Sequence, residues 1–207
     1  MSSERLDWIY AATDPEDLRR RYDEWSLHYD EDMATLDWAA PGAAAEQCLA
    51  YGGRGGVVLD AGCGTGQVGV ALRAGGARRV IGIDFSAGML HRAAACGAYD
   101  MLLQASLTDA LPIPAGSIDA VVSVGVFTFG HVGPDPLAAL GDLVRAGGTL
   151  TLSFRDDVFH GLGFAEAVSA LESSGRWALA GCSEPAALVT EGGGGVPMRV
   201  WTWRMAP

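Results

Sequence analysis

The chain has 207 residues, of which 49% are hydrophobic and 19% charged, and a net charge of −11. That length sets one domain as the first expectation, and the apolar share suffices for a sizeable core while excluding disorder over most of the chain. The acidity disfavours nucleic acid, whose phosphates need basic partners, and no apolar run reaches the roughly 18 residues of a membrane span.

The N-terminus, MSSERLDWIY, carries no basic segment followed by an apolar one, so no secretory signal is read and a cytoplasmic location is expected. Residues 14–33, DPEDLRRRYDEWSLHYDEDM, begin with a helix start. Asp14 suits the N-cap, Pro15 the first helical position, and Glu16 and Asp17 the positive end of the dipole. Leu18, Tyr22, Trp25 and Tyr29 follow at helical spacing and form one aromatic face. Residues 1–50 are expected to form a helical leader over the active site, and residues 51–207 the catalytic domain.

From residue 57 the pattern changes. Apolar strands are expected at 57–61, 80–84, 101–105, 118–124 and 149–154, with helices at 66–74, 87–96 and 135–145 between them. Near-continuous apolar strands separated by helices predict an α/β, doubly wound, Rossmann-like sheet, mostly parallel and covered on both faces. A helix at about 162–174 and a strand at about 176–182 follow. The glycines at 192–195 read as a mobile turn, and MRVWTWRM (198–205) as a last strand. These final strands, joined without a helix, predict an antiparallel hairpin at the sheet edge.

The stretch VVLDAGCGTGQVG, residues 57–69, holds a G-x-G-x-x-G at Gly64, Gly66 and Gly69. It follows a predicted strand and opens a predicted helix, the context that a nucleotide-binding loop requires. Asp84 ends the second strand, where a carboxylate accepts hydrogen bonds from ribose hydroxyls. The alternative is tight strand–helix packing without a ligand. The ligand choice turns on Asp60. With the loop starting at Gly62, Asp60 is expected at the strand's carboxyl end facing the crevice, where it repels a pyrophosphate and attracts a cation. S-adenosylmethionine has an ammonium, a sulfonium and a ribose, and no phosphate.

At this point the sequence resembles the class I methyltransferases that use S-adenosylmethionine. VLDAGCGTG looks like their first motif and GIDFSAGML like the acidic loop after the second strand. LTDALPIPAGSIDAVVSVGVF is similar to the L-P segment before the fourth strand. LVRAGGTLTLSFR is similar to the L-K-P-G-G turn into the fifth, with Arg145 and Ala146 in place of Lys-Pro. The resemblance covers residues 55–155 and implies seven strands with the last antiparallel. YDEWSLHYDEDM, VGVFTFGHVGPDPLAALGDLVRAGG and RDDVF further resemble the Williams–Beuren-region methyltransferase-like group.

The cofactor residues expected on this basis are Asp60, Gly62, Cys63, Gly64, Asp84, Phe85, Met89, Ser106, Leu107 and Val124. Phe85 and Met89 offer a flat ring and a polarizable thioether to adenine; for Met89 the alternative is core packing. Ser86 suits a helix cap. The family often has an acidic residue near Leu107 for the adenine amino group; Leu cannot accept that bond, so Ser106, Thr108 or a backbone carbonyl takes its place.

On the acceptor side the expected residues are Tyr22, Trp25, Tyr29, Gly125, His131 and Arg155. Val124, Gly125 and Val126 end the fourth strand, at the crevice. His131 is the candidate general base, and Arg155 a candidate for a substrate carboxylate. For both, a structural role is the alternative, as docking of an amphipathic helix is for the aromatic face.

The four cysteines, 48, 63, 96 and 182, form no C-x-x-C pair and read as free thiols. The four histidines are scattered, so no metal site is expected. All fourteen basic residues are Arg, with no Lys and no Asn, which reads as codon bias. No N-P-P-Y or D-P-P-Y follows the fourth strand, which disfavours methylation of an adenine or glutamine amino group. The expected activity is methyl transfer from S-adenosylmethionine, leaving S-adenosylhomocysteine, to a small-molecule acceptor at O, N or S. No nucleic acid or membrane partner is expected, and the protein is expected as a monomer or homodimer. The alternatives are a non-catalytic module binding S-adenosylmethionine or S-adenosylhomocysteine, and an NAD-dependent oxidoreductase.

Overall fold

A computed structural model describes residues 2–36, 38–188 and 196–207. The expected turn at 192–195 lies outside the described residues. The main sheet has seven strands: β1 (Val57–Ala61), β2 (Arg79–Asp84), β3 (Met101–Gln104), β4 (Ile118–Ser123), β5 (Val144–Arg155), β6 (Trp177–Cys182) and β8 (Val196–Met205). They lie in the order β3-β2-β1-β4-β5-β8-β6. The first five pair in parallel, whereas β8 is antiparallel to both β5 and β6. A short β7 (Ala186–Leu188) also pairs with β8. The doubly wound sheet with an antiparallel β8 is the expected fold, and the order reverses between β1 and β4.

Helices α5 (Gln67–Ala74), α6 (Ala87–Ala95) and α7 (Pro136–Leu143) follow β1, β2 and β4, and α8 (Asp156–Gly161) and α9 (Phe164–Ser173) both follow β5. On one sheet face Leu59, Val121 and Leu150 pack with Leu137, Leu140 and Phe164. On the other, Val58, Val80 and Val122 pack with Val68 and Leu72. The expected helix 162–174 is α9 alone; Gly163, at φ +81°, separates it from α8.

The leader departs most from expectation. It contains α1 (Ser2–Tyr10), α2 (Pro15–Trp25), α3 (Tyr29–Ala34) and α4 (Ala40–Cys48). Asp14 caps α2 by accepting from Asp17 N–H, with Pro15 at its first position, as read. The aromatic stripe does not ride on one helix. Ser26 Oγ donates to the Asp23 carbonyl at 2.7 Å, and the chain turns over residues 26–28 before α3. The stripe survives the break: Trp25 and Tyr29 meet edge to face with centroids 4.7 Å apart. Although α4 falls within residues 1–50, its Ala44, Ala45 and Cys48 pack in the core with Val58 and Leu72. The part that covers the strand ends is therefore α1–α3, with its own small core of Ile9, Leu18, Trp25, Met33 and Leu36. Among the described residues no helix is long and apolar enough to cross a membrane.

Candidate active site

The glycine loop leaves β1 and enters α5. Gly62 has φ +81°, and a Cβ there would lie 2.1 Å from Val126 Cγ2; only glycine fits. Gly69 has a different reason. A Cβ on it would meet the Tyr99 ring at 2.2 Å, so its absence admits Tyr99, whose hydroxyl donates to Asp60 Oδ2 at 2.7 Å.

This corrects the expected position of Asp60. Its side chain is fully buried and does not line the cavity at the loop. It follows Leu59 on the strand and so points to the opposite face, among the packing of α5 and Tyr99. Burial raises its pKa to about 7, against the hydrogen bond from Tyr99, with a further rise from Asp84. Among the described residues Oδ1 has no hydrogen-bond partner, and a buried acceptor left unpaired is costly.

Asp84 does line the cavity, with Gly62, Gly64, Phe85 and Met89. Its carboxylate accepts from Gly64 N–H at 2.8 Å and Ser86 N–H at 2.9 Å. Burial raises its pKa to about 6, partly offset by those two hydrogen bonds. Ser86 caps α6 by accepting from Met89 N–H at 3.1 Å. Ala105, Ser106 and Leu107 supply another wall and Val124 the floor. Ser106 and Thr108 share a 2.7 Å hydroxyl hydrogen bond. Cys63 sits in the loop but outside the lining; burial pushes its thiol well above the ordinary range, unsuited to a nucleophile. This cavity measures about 660 Å³ including its open part.

A second cavity of about 1580 Å³, including its open part, lies beside it under the leader. Tyr10, Trp25, Trp38, Phe127 and Phe129 give it aromatic walls, and Met33 and Met198 add thioethers. Tyr22, Tyr29, Gly125 and His131 line both cavities, so the two spaces meet there. Trp25 and Arg155 belong to the second cavity only.

His131 has a defined tautomer. Its Nδ1 lies 2.7 Å from the Phe129 carbonyl oxygen, which only accepts, so Nδ1 carries the proton. Nε2 is then the lone-pair nitrogen, and the Tyr22 hydroxyl donates to it at 2.7 Å. Burial lowers the imidazole pKa, partly offset by the Phe129 carbonyl, and burial raises that of Tyr22. Arg155 is already engaged. Its Nε and Nη2 donate to the two oxygens of Asp157 at 3.0 and 2.7 Å, so the fork expected to hold a substrate carboxylate is taken by the chain's own.

Two contacts went unread in the sequence. Asp23 Oδ1 accepts from Ser86 Oγ and Gly88 N–H at 2.7 and 2.9 Å, tying α2 to the start of α6. Asp30 Oδ1 accepts from Thr65 Oγ1 and Gln67 Nε2 at 2.6 and 2.8 Å, tying α3 to the glycine loop. The acidic leader was visible; which carboxylate reaches which loop depends on the fold. Asp30 brings its negative charge to the start of α5, where a dinucleotide's pyrophosphate would otherwise sit. A sugar-bearing ligand without phosphate fits this lining: Asp84 at the strand end and apolar walls beyond it.

A family model for the methyltransferase domain matches residues 58–148. Human methyltransferase-like protein 27 is 38% identical over 182 residues, spanning 82% of this chain and 73% of the relative. Among solved structures, a chain from the complex of the Haloferax volcanii Trm112 methyltransferase activator with a methyltransferase superposes with a TM-score of 0.67. It shares 19% identity and covers 90% of this chain and 98% of its own. A TehB-like S-adenosylmethionine-dependent methyltransferase from Corynebacterium glutamicum gives 0.63 at 22% identity, covering 87% and 97%.

Proposed function

Because the chain belongs to the class I methyltransferases that use S-adenosylmethionine, in the methyltransferase-like group of the Williams–Beuren region, we propose that it methylates a small-molecule acceptor. The donor occupies the cavity beside Asp84 and the acceptor the larger aromatic one. The observation that carries this reading is their shared wall of Tyr22, Tyr29, Gly125 and His131. A bound donor supplies a methyl group already activated on a cationic sulfur.

The chain's own tasks are positioning, exclusion of water and proton removal. Asp84 takes the ribose hydroxyls. Phe85, Met89 and Leu107 flank the adenine. Gly125 leaves room where the cavities meet. Tyr22 and Tyr29 close the junction from above, and the Tyr22–His131 pair receives a proton from the acceptor. The net charge of −11 supports a small molecule over nucleic acid.

Calorimetric titration with S-adenosylmethionine, S-adenosylhomocysteine and NAD tests the reading. The first two bind and NAD does not; binding of NAD alone would overturn it.

A further inference from the structure

Resting on the division into donor and acceptor cavities, we infer that the larger cavity takes an uncharged, flat aromatic acceptor that presents an ionisable hydroxyl to the Tyr22–His131 pair. Rings supply a large share of the walls: Trp25 and Tyr29 edge to face, Tyr10 edge-on to His131, and Trp38 beside Gly125. Such walls favour a flat guest that offers π-faces and edges.

Among the described residues, the cavity's charged groups are ion-paired or exposed to solvent. Arg155 is paired with Asp157. Trp25 spends its N–H on Asp32, which also pairs with Arg5. Asp7, the acidic lining residue, is exposed on α1. A carboxylate or ammonium guest would lose its hydration without gaining a full counter-charge, a cost a neutral guest avoids. The groups at the junction can manage a hydroxyl proton. The Tyr22 oxygen accepts from the guest hydroxyl while its own hydrogen points to Nε2. In the transfer the acceptor O–H bond breaks, its proton moves to the Tyr22 oxygen, and the Tyr22 proton moves to Nε2. The freed oxygen pair forms the bond to the methyl carbon as the carbon–sulfur bond breaks, its electrons remaining on sulfur. A neutral thioether, a methyl ether and an imidazolium result, and the imidazolium releases its proton to water.

Three probes of similar size separate the charge classes: 2-naphthol, 2-naphthoate and 2-naphthylmethylammonium. Each is titrated into the full chain, with and without S-adenosylhomocysteine, following heat and tryptophan fluorescence. We expect 2-naphthol to bind saturably in both states, at least about tenfold tighter than either charged probe. Trp38→Ala and Phe129→Ala should each weaken it about fivefold or more and leave S-adenosylhomocysteine affinity unchanged; the half-exposed Phe129 makes the second variant safe for folding. Tighter binding of a charged probe, no saturable binding of naphthol, or insensitivity to both variants would overturn the inference. Failure of S-adenosylhomocysteine to bind while naphthol binds as expected would instead strike the donor cavity alone.

Discussion

The Tyr22 hydroxyl donates to Nε2 of His131 at 2.7 Å, joining residues 109 positions apart. One comes from the leader and the other from the loop after β4, so the proposed proton path depends on the leader. Tyr22→Phe keeps the ring and removes the relay; His131→Asn removes the base. Both should lower kcat by about ten- to a thousandfold on a hydroxyl acceptor, within the range for general base catalysis, with smaller changes in KM. Steady-state kinetics of the two variants checks this.

The pH dependence of kcat follows from His131. Burial holds its pKa below the ordinary 6.5, and the neutral ring is the active form. Activity should therefore rise as pH increases through that lowered pKa and be flat by neutrality. A pH profile that instead rises through 8 would assign the base elsewhere.

The proposed mechanism gives donor binding to Asp84 and proton transfer to His131. Asp84→Ala should weaken S-adenosylhomocysteine about tenfold or more, as loss of charge-assisted hydrogen bonds does. His131→Ala should change that affinity by less than about threefold. Equal losses by calorimetry would contradict the division.

Asp60 makes stability depend on pH in an unusual sense. Its folded pKa is raised to about 7 and that of Asp84 to about 6, both from 3.8. Between those values the folded chain binds more protons than the unfolded one, so stability falls as pH rises from about 4 to 7. The destabilisation is complete above pH 7 and absent below about 4. Asp60→Asn should remove its share, gaining about 1–3 kcal/mol at pH 8 relative to the parent, with little gain at pH 4. Tyr99→Phe should cost stability at pH 8 by stripping the carboxylate of the hydrogen bond from the Tyr99 hydroxyl. Chemical denaturation at the two pH values measures both.

The leader is held by Asp23 on α6 and Asp30 on the glycine loop. Replacing both by Ala should speed hydrogen exchange and proteolysis in residues 14–33 and weaken the donor severalfold, while the sheet stays protected.

The central strands were legible because they are buried on both faces, so VVLDA and IDAVVSV allow few alternatives. Asp84, Phe85, Met89 and Val124 fall on the first cavity because they sit at strand ends or the first turn beyond one, a position spacing alone defines. Asp60 was misplaced because its neighbour Tyr99 is 39 residues away and two strands over; alternation along β1 was the available signal, since Leu59 and Ala61 share the opposite face. Trp38 and Tyr10 gave no periodic signal, and the turn over residues 26–28 is not encoded by an amphipathic stripe.

A crystal structure of the chain with S-adenosylhomocysteine bound tests the central claim most directly. The expected result has both ribose hydroxyls on Asp84, the adenine against Phe85 and Met89, and the sulfur beside Gly125, aimed at the aromatic cavity. A ligand with its sulfur turned away from that cavity, or its ribose clear of Asp84, would contradict it.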